Sequence, residues 1–162
     1  MAPKNNSQAR TLELPAGGTV LARGLRGTPA PDPPPAFGLY LLGHPLDRPS
    51  WYGRHLVGLR PWTPPWPHTR IDWRDFSAPR QPDVAVRELR DLLTRIDHGE
   101  RVELACGGGR GRTGTALAAL AVLRGMPAAE AVDWVRRAYD PKAVESRSQR
   151  SFLDIVGHEA DL

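Results

Sequence analysis

Arg101-Val102-Glu103-Leu104-Ala105-Cys106-Gly107-Gly108-Gly109-Arg110-Gly111-Arg112-Thr113-Gly114 is the stretch that decides how this chain is read. Its first five residues read as a strand that delivers Cys106. The glycine-rich run follows, and then Thr115 to Arg124, apolar on nearly every face through Ala116, Leu117, Leu120, Val122 and Leu123, as suits a buried central helix. A glycine-rich loop between a strand and a helix is a cradle for an anion. With no Cβ atoms in the way, backbone N–H groups can close around phosphate oxygens, and the helix N-terminus adds partial positive charge at the same spot. Cys106 sets a nucleophile at the base of that cradle and Arg112 a guanidinium at its side.

Upstream, Asp83 is a candidate N-cap for a helix from Val84 to His98, where Val86, Leu89, Leu92, Leu93 and Ile96 recur at helical spacing and Gly99 supplies the stop. Thr19 to Ala22 and Phe37 to Leu42 read as short strands, and His55 to Leu59 as a weaker one. Between the first two, Thr28 to Pro35 is too rich in proline for a helix or inner strand and reads as a surface loop. Arg60 to His68, with its prolines and Trp62 and Trp66, reads as an irregular packed segment. Downstream, Pro127 opens a helix running to Tyr139, and Ser148 to Gly157 forms the last one. Strands come early and helices late around one β-loop-α unit. The expected architecture is a single α/β domain over residues 11–162, its central mixed or mostly parallel sheet flanked by helices, behind a polar, disordered arm at residues 1–10.

With 162 residues the chain can bury its own core, and its one cysteine excludes an internal disulfide. No stretch reaches the roughly 18 to 20 apolar residues of a membrane span, so a reducing cytoplasm is the expected location. The net charge of +4, from 22 basic and 18 acidic residues, favours anionic ligands without choosing among them. His44, His55, His68, His98 and His158 form no ligand-spaced cluster, so neither a metal nor another cofactor is expected.

Three phosphate-loop patterns compete for the central stretch. A Walker A loop fails twice, with Cys106 at its first glycine and Arg112 at its lysine. Gly109, Gly111 and Gly114 match G-x-G-x-x-G, but so late in a short chain that no second mononucleotide half can follow. Cys106, Gly109, Arg112 and Thr113 together meet C-x-x-G-x-x-R-[ST]. On that motif the chain resembles the cysteine-dependent protein tyrosine and dual-specificity phosphatase superfamily. The wider string Cys106 to Gly114 is most similar to its compact dual-specificity members and to relatives acting on phosphoinositides or inositol phosphates.

The resemblance implies a dual-specificity-phosphatase-like fold and a phosphate-binding loop made of Gly107, Gly108, Gly109, Arg110, Gly111 and Arg112. It also implies a general acid on an upstream loop, in that family often Trp-Pro-Asp-Phe. Trp73-Arg74-Asp75-Phe76 stands in that place, so Asp75 is the expected acid, with Asp72 close enough to compete. Gln149, within Glu145-Ser146-Arg147-Ser148-Gln149, resembles the glutamine that orients the hydrolytic water. The family's histidine before the cysteine, which orders the loop and favours the thiolate, is Ala105 here. The helix N-terminus, Arg112 and the Thr113 hydroxyl remain to favour the thiolate.

The activity so implied is hydrolysis of a phosphate monoester through a phosphocysteine, with inorganic phosphate or a similar oxyanion as a ligand of the loop. The expected partner is a phosphorylated substrate, either a phosphoprotein or a small metabolite such as a nucleotide or inositol phosphate. A phosphate-binding pseudophosphatase, weakened by Ala105 and Arg74, is the alternative. Arg110 either meets a second anionic group on the substrate or pairs with a neighbouring acid. Trp51, Trp62 and Trp66 either stack an aromatic substrate or anchor packing. Nucleic acid is not expected as a partner, since the arginines lie between a strand and a buried helix rather than in a flexible tail.

Overall fold

The computed structural model describes residues 8–43, 47–49 and 62–162. In chain order the elements are β1 (Arg10–Glu13), β2 (Thr19–Gly24), β3 (Phe37–Leu42), β4 (His68–Asp72), α1 (Pro82–Asp97), β5 (Val102–Cys106), α2 (Gly111–Leu123), α3 (Ala128–Ala138) and α4 (Arg147–Ala160). The strands form one mixed sheet in the order β1-β2-β5-β3-β4. β5 runs parallel to both β2 and β3, β4 runs parallel to β3, and β1 closes one edge antiparallel to β2. The register sets Cys106 beside Gly24 on one side and Leu41 on the other. Cys106 therefore leaves the sheet at the carboxyl end of its parallel strands, where open α/β sheets bind their ligands.

Side chains alternate across the sheet, so Leu39, Leu41, Ile71, Val102 and Leu104 share one face with the buried residues of all four helices. α2 lies innermost: Ala116 to Ala121 are wholly buried between the sheet and the neighbouring helices. Its alanines let those neighbours approach, while Leu117 and Leu120 each contribute about 1.5–3 kcal/mol by leaving water. The opposite face carries Leu25, Tyr40, Leu42 and Ala105, against which Trp62 packs. Here Arg23 and Glu103 form a buried ion pair, the Tyr40 hydroxyl donates to Glu103, and Trp66 Nε1 donates to Tyr40 Oη at 2.7 Å. Trp62 meets the Tyr40 ring edge-on at 5.1 Å, so both described tryptophans of the proline-rich segment are packing anchors.

Several boundaries differ from the sequence reading. α1 starts at Pro82, with Gln81 as N-cap and Asp83 inside the first turn, because proline suits the first helical position. α2 starts at Gly111 rather than Thr115, so Arg112 and Thr113 are helical residues. β1 and β4 carry no hydrophobic alternation that marks them: Leu12 and Ile71 are their only buried residues. β1 also takes in Arg10, the last residue of the expected disordered arm. The strand expected at His55 to Leu59, together with His44, Trp51 and the first seven residues, lies outside the described residues.

Candidate active site

Cys106 is 2% exposed, and its Sγ accepts a hydrogen bond from Gly109 N at 3.1 Å. The loop's carbonyls are held from outside. Leu25 N donates to Cys106 O at 2.9 Å, Arg26 N donates to Gly107 O at 3.1 Å, and the Tyr139 hydroxyl donates to Gly109 O. A trans peptide points its N–H opposite its C=O, so each carbonyl held outside turns the next residue's N–H, on Gly107, Gly108 and Arg110, towards the cradle. Gly109 has φ +75°, and a β-carbon there would collide with the backbone nitrogen of Gly24. Only glycine fits both demands.

Tyr139 is placed by Arg10, whose guanidinium donates to the carbonyls of Ala138 and Tyr139 and lies 5.3 Å from the tyrosine ring centre. Burial, and then the negative charge at Cys106, push the Tyr139 hydroxyl far above the usual phenol range, so it stays a donor. A tyrosine at the end of α3 thus braces the loop that Ala105 leaves without the family's histidine.

Arg112 is 1% exposed and held with unusual completeness. Nη1 donates to Asp47 Oδ2 at 2.7 Å and to the carbonyls of Leu41 and Trp73, both at 3.1 Å, while Nη2 donates to Asp47 Oδ1 at 2.9 Å. Burial works against the guanidinium's charge, but the hydrogen bonds and charge of Asp47, with the charges of Cys106 and Asp75, outweigh it and raise its pKa. Nε alone makes no hydrogen bond, and it lies 3.6 Å from Asp75 Oδ1. Asp47 is the site residue that sequence reasoning misses. It sits in a proline-rich loop 65 positions from its partner, with no motif around it.

The loop that carries Asp75 is anchored by Trp73, which is fully buried and meets the Phe152 ring edge-on at 5.4 Å. Its indole N–H donates to Ser77 O, closing the turn that presents Asp75 and Phe76. Asp75 lines the cleft above Cys106, whereas Asp72 pairs with Arg80 at 3.5 Å. The cleft, of about 320 Å³, is lined among the described residues by Arg26, Asp75, Phe76, Cys106, Gly108, Arg110, Gly111 and Glu145. Arg110 is at once a lining residue and the partner of Asp140, at 3.2 Å. Thr113 is buried, and its hydroxyl has no hydrogen-bond partner.

Gln149 is placed differently from the expectation. It is fully buried and absent from the lining, and its Oε1 accepts from Glu145 N at 2.7 Å and Ser146 N at 3.3 Å as half of a capping box on α4. Only its Nε2 remains without a partner. Glu145 stands in the lining instead. Burial, and then Asp75, hold its carboxyl above the usual carboxylate range. Among the described residues no group of three or more His, Cys, Asp or Glu side chains is placed to hold a metal, and no helix is long and apolar enough to cross a membrane.

Residues 61–153 match the family described as PTP-SAK, the Swiss Army Knife protein DSP-PTPase phosphatase domain. The chain belongs to this family. An uncharacterized protein of Methanocaldococcus jannaschii is 40% identical to this DSP-PTPase domain over 88 residues, 54% of this chain and 57% of that protein. The chain thus spans just over half the length of that curated relative. The crystal structure of Tk-PTP in the active form is 26% identical, with TM-score 0.52 over 75% of this chain and 78% of the other. Kinase associated phosphatase, with serine for its catalytic cysteine, superposes with TM-score 0.71 over 98% of each chain at 12% identity, a likeness of fold. The fold of this DSP-PTPase domain is therefore the dual-specificity phosphatase fold, with the helices on the core face of a mixed sheet.

Proposed function

We propose that the chain hydrolyses phosphate monoesters through a phosphocysteine on Cys106. The observation that carries this reading is the convergence at Arg112: a buried guanidinium, fixed by Asp47 through Nη1 and one N–H of Nη2, keeps Nε and the second N–H of Nη2 without a hydrogen bond, with Asp75 3.6 Å from Nε. Cys106 thiolate attacks phosphorus in line, forming the S–P bond as the bond to the leaving oxygen breaks. The inward N–H groups of the loop and the Arg112 guanidinium hold the equatorial oxygens. Asp75 gives its proton to the leaving oxygen, then takes one from the water that attacks the phosphocysteine and releases inorganic phosphate and thiolate. Gln149 acts on that water only through Nε2, because its oxygen is committed to the helix cap. The catalytic domain begins with β1, and the thiolate chemistry suits a reducing cytoplasm.

The test is phosphate release from para-nitrophenyl phosphate, with acid-quenched protein examined by mass spectrometry. Turnover with one phosphoryl group trapped on the Cys106 peptide is the expected result. Oxyanion binding without turnover makes the chain a phosphate-binding pseudophosphatase instead.

A further inference from the structure

An attacking water needs acceptors. Its oxygen aims a lone pair at phosphorus when both of its O–H groups are held, so the hydrolytic half of the reaction calls for a second acceptor beside Asp75. Gln149 does not supply one. Its Oε1 is taken by Glu145 N and Ser146 N, and the Nε2 left over can only donate. Among the described residues that line the cleft, Asp75 and Glu145 are the two whose side chains accept through oxygen.

Glu145 is set there by fixed groups. The Arg136 guanidinium donates to the carbonyls of Ala143 and Val144 at 2.9 and 3.0 Å, and the capping box holds Glu145 N at 2.7 Å. Between these anchors Val144 is buried with φ +62°, a left-handed backbone that a β-branched residue rarely adopts. Such strain persists only where the surroundings over-determine it, and the side chain that follows is the one that enters the cleft. A β-carbon on Gly111 would lie 2.8 Å from Glu145 Oε2, so the carboxyl rests against the residue where the phosphate loop becomes α2. Asp75 Oδ1 lies 3.6 Å from Nε of Arg112, the next residue. The two carboxyls thus reach neighbouring positions at the mouth of the cradle. Among the described residues the Glu145 carboxyl has no hydrogen bond or ion pair of its own. Desolvation, and then the charge of Asp75, hold it above the usual carboxylate range against the pull of Arg110 and Arg112, and a more basic carboxylate is the better acceptor.

We propose that Glu145 is a catalytic residue of the hydrolytic step, accepting one O–H of the attacking water while Asp75 takes the proton of the other. This rests on the phosphatase reading above and moves to Glu145 the water-orienting work that the resemblance placed on Gln149, which contributes chiefly by holding Glu145 in place. As the water oxygen bonds to phosphorus, the S–P bond breaks and its electron pair returns to Cys106 as thiolate. One proton passes to Asp75, and the other stays on the oxygen of the departing phosphate, donated to Glu145 throughout. The first half of the reaction, in which no water takes part, makes no use of Glu145.

That asymmetry gives the test. An attacking alcohol hydroxyl carries one O–H where water carries two, so transfer of the phosphoryl group to an alcohol needs Asp75 and leaves Glu145 idle. Parent, Glu145→Ala and Glu145→Gln proteins are given para-nitrophenyl phosphate with glycerol, glycerol phosphate and inorganic phosphate are measured, and para-nitrophenol release in the first turnover is followed by rapid mixing. Glu145→Ala should raise the ratio of glycerol phosphate to inorganic phosphate about tenfold, the worth of one hydrogen bond to a charged group, with the first-turnover rate within about twofold of the parent. Glu145→Gln, whose amide oxygen still accepts, should fall between the two. A ratio that does not move in Glu145→Ala overturns the proposal, and so does a first turnover that slows as much as steady-state hydrolysis, the mark of a site disturbed as a whole. A parent that releases no phosphate and forms no phosphocysteine defeats the hydrolytic reading itself, whereas normal parent turnover with an unmoved ratio defeats only the part given to Glu145.

Discussion

Arg112 owes its position to groups that do not line the cleft, Asp47 and the carbonyls of Leu41 and Trp73. Asp47 takes one edge of the guanidinium at 2.7 and 2.9 Å, so that in the proposed mechanism Nε and the second N–H of Nη2 meet the phosphoryl oxygens. Arg112→Lys should therefore be nearly as damaging to kcat as Arg112→Ala, because an ammonium cannot face Asp47 and the transferring phosphoryl group with one planar fork. Asp47→Asn should lower kcat by about tenfold to a hundredfold with a smaller change in KM, as expected where an arginine is misaimed rather than removed. Asp75→Asn should cost about two to four orders of magnitude on alkyl phosphates and far less on para-nitrophenyl phosphate, whose leaving group needs no proton. Asp72→Asn should do little on either, since Asp72 is engaged with Arg80 outside the cleft. Tyr139→Phe removes the brace on the buried Gly109 carbonyl and should reduce kcat/KM about tenfold while costing about 1–3 kcal/mol of stability in urea unfolding. Cys106, Arg112 and Asp75 were legible because each belongs to a short motif whose chemistry is local. Asp47, Arg26 and Tyr139 were not, because each is defined by a partner brought near only by the fold.

Among the elements, the central ones could be read and the peripheral ones could not. β3 and β5 are buried at every position, and their apolar runs announce it. β1 and β4 are edge strands, where one buried side chain suffices and the polar remainder reads like a loop. The early start of α2 was hidden by composition, since Gly111 and Arg112 are weak evidence for a helix until the phosphate loop is seen to wind directly into it. That junction depends on the β2 backbone as much as on the loop. Gly109→Ala forces a side chain into a left-handed conformation against Gly24 and should cost about 1–3 kcal/mol of stability in urea unfolding while abolishing most phosphatase activity. Equal activity and stability in that variant would mean that the loop relaxes independently of β2.

Across the whole molecule, the two faces of the sheet are built on different principles. One is an apolar core shared with four helices; the other is organised around the buried Arg23–Glu103 pair, with Tyr40 and Trp66 completing its hydrogen bonds. Arg23→Met should destabilise the protein by about 3–5 kcal/mol, because it strands a buried carboxylate, and adding Glu103→Leu should recover most of that loss. Urea unfolding of the two variants checks the order. Sequence alone gives no sign of this network, since Arg23 reads as an ordinary polar residue just past the strand expected at Thr19 to Ala22 and Glu103 as one within the strand that delivers Cys106. The strand order carries a temporal consequence as well. β2 and β3 never touch as neighbours; the slot between them belongs to β5, which leaves the ribosome only after both of them and α1. Until then the nascent chain holds two strand pairs whose inner edges are bare, the situation that invites pairing with other chains. Insertion of one late strand seals both edges and delivers Cys106, so the growing polypeptide cannot assemble its candidate site before it has closed its most adhesive surface.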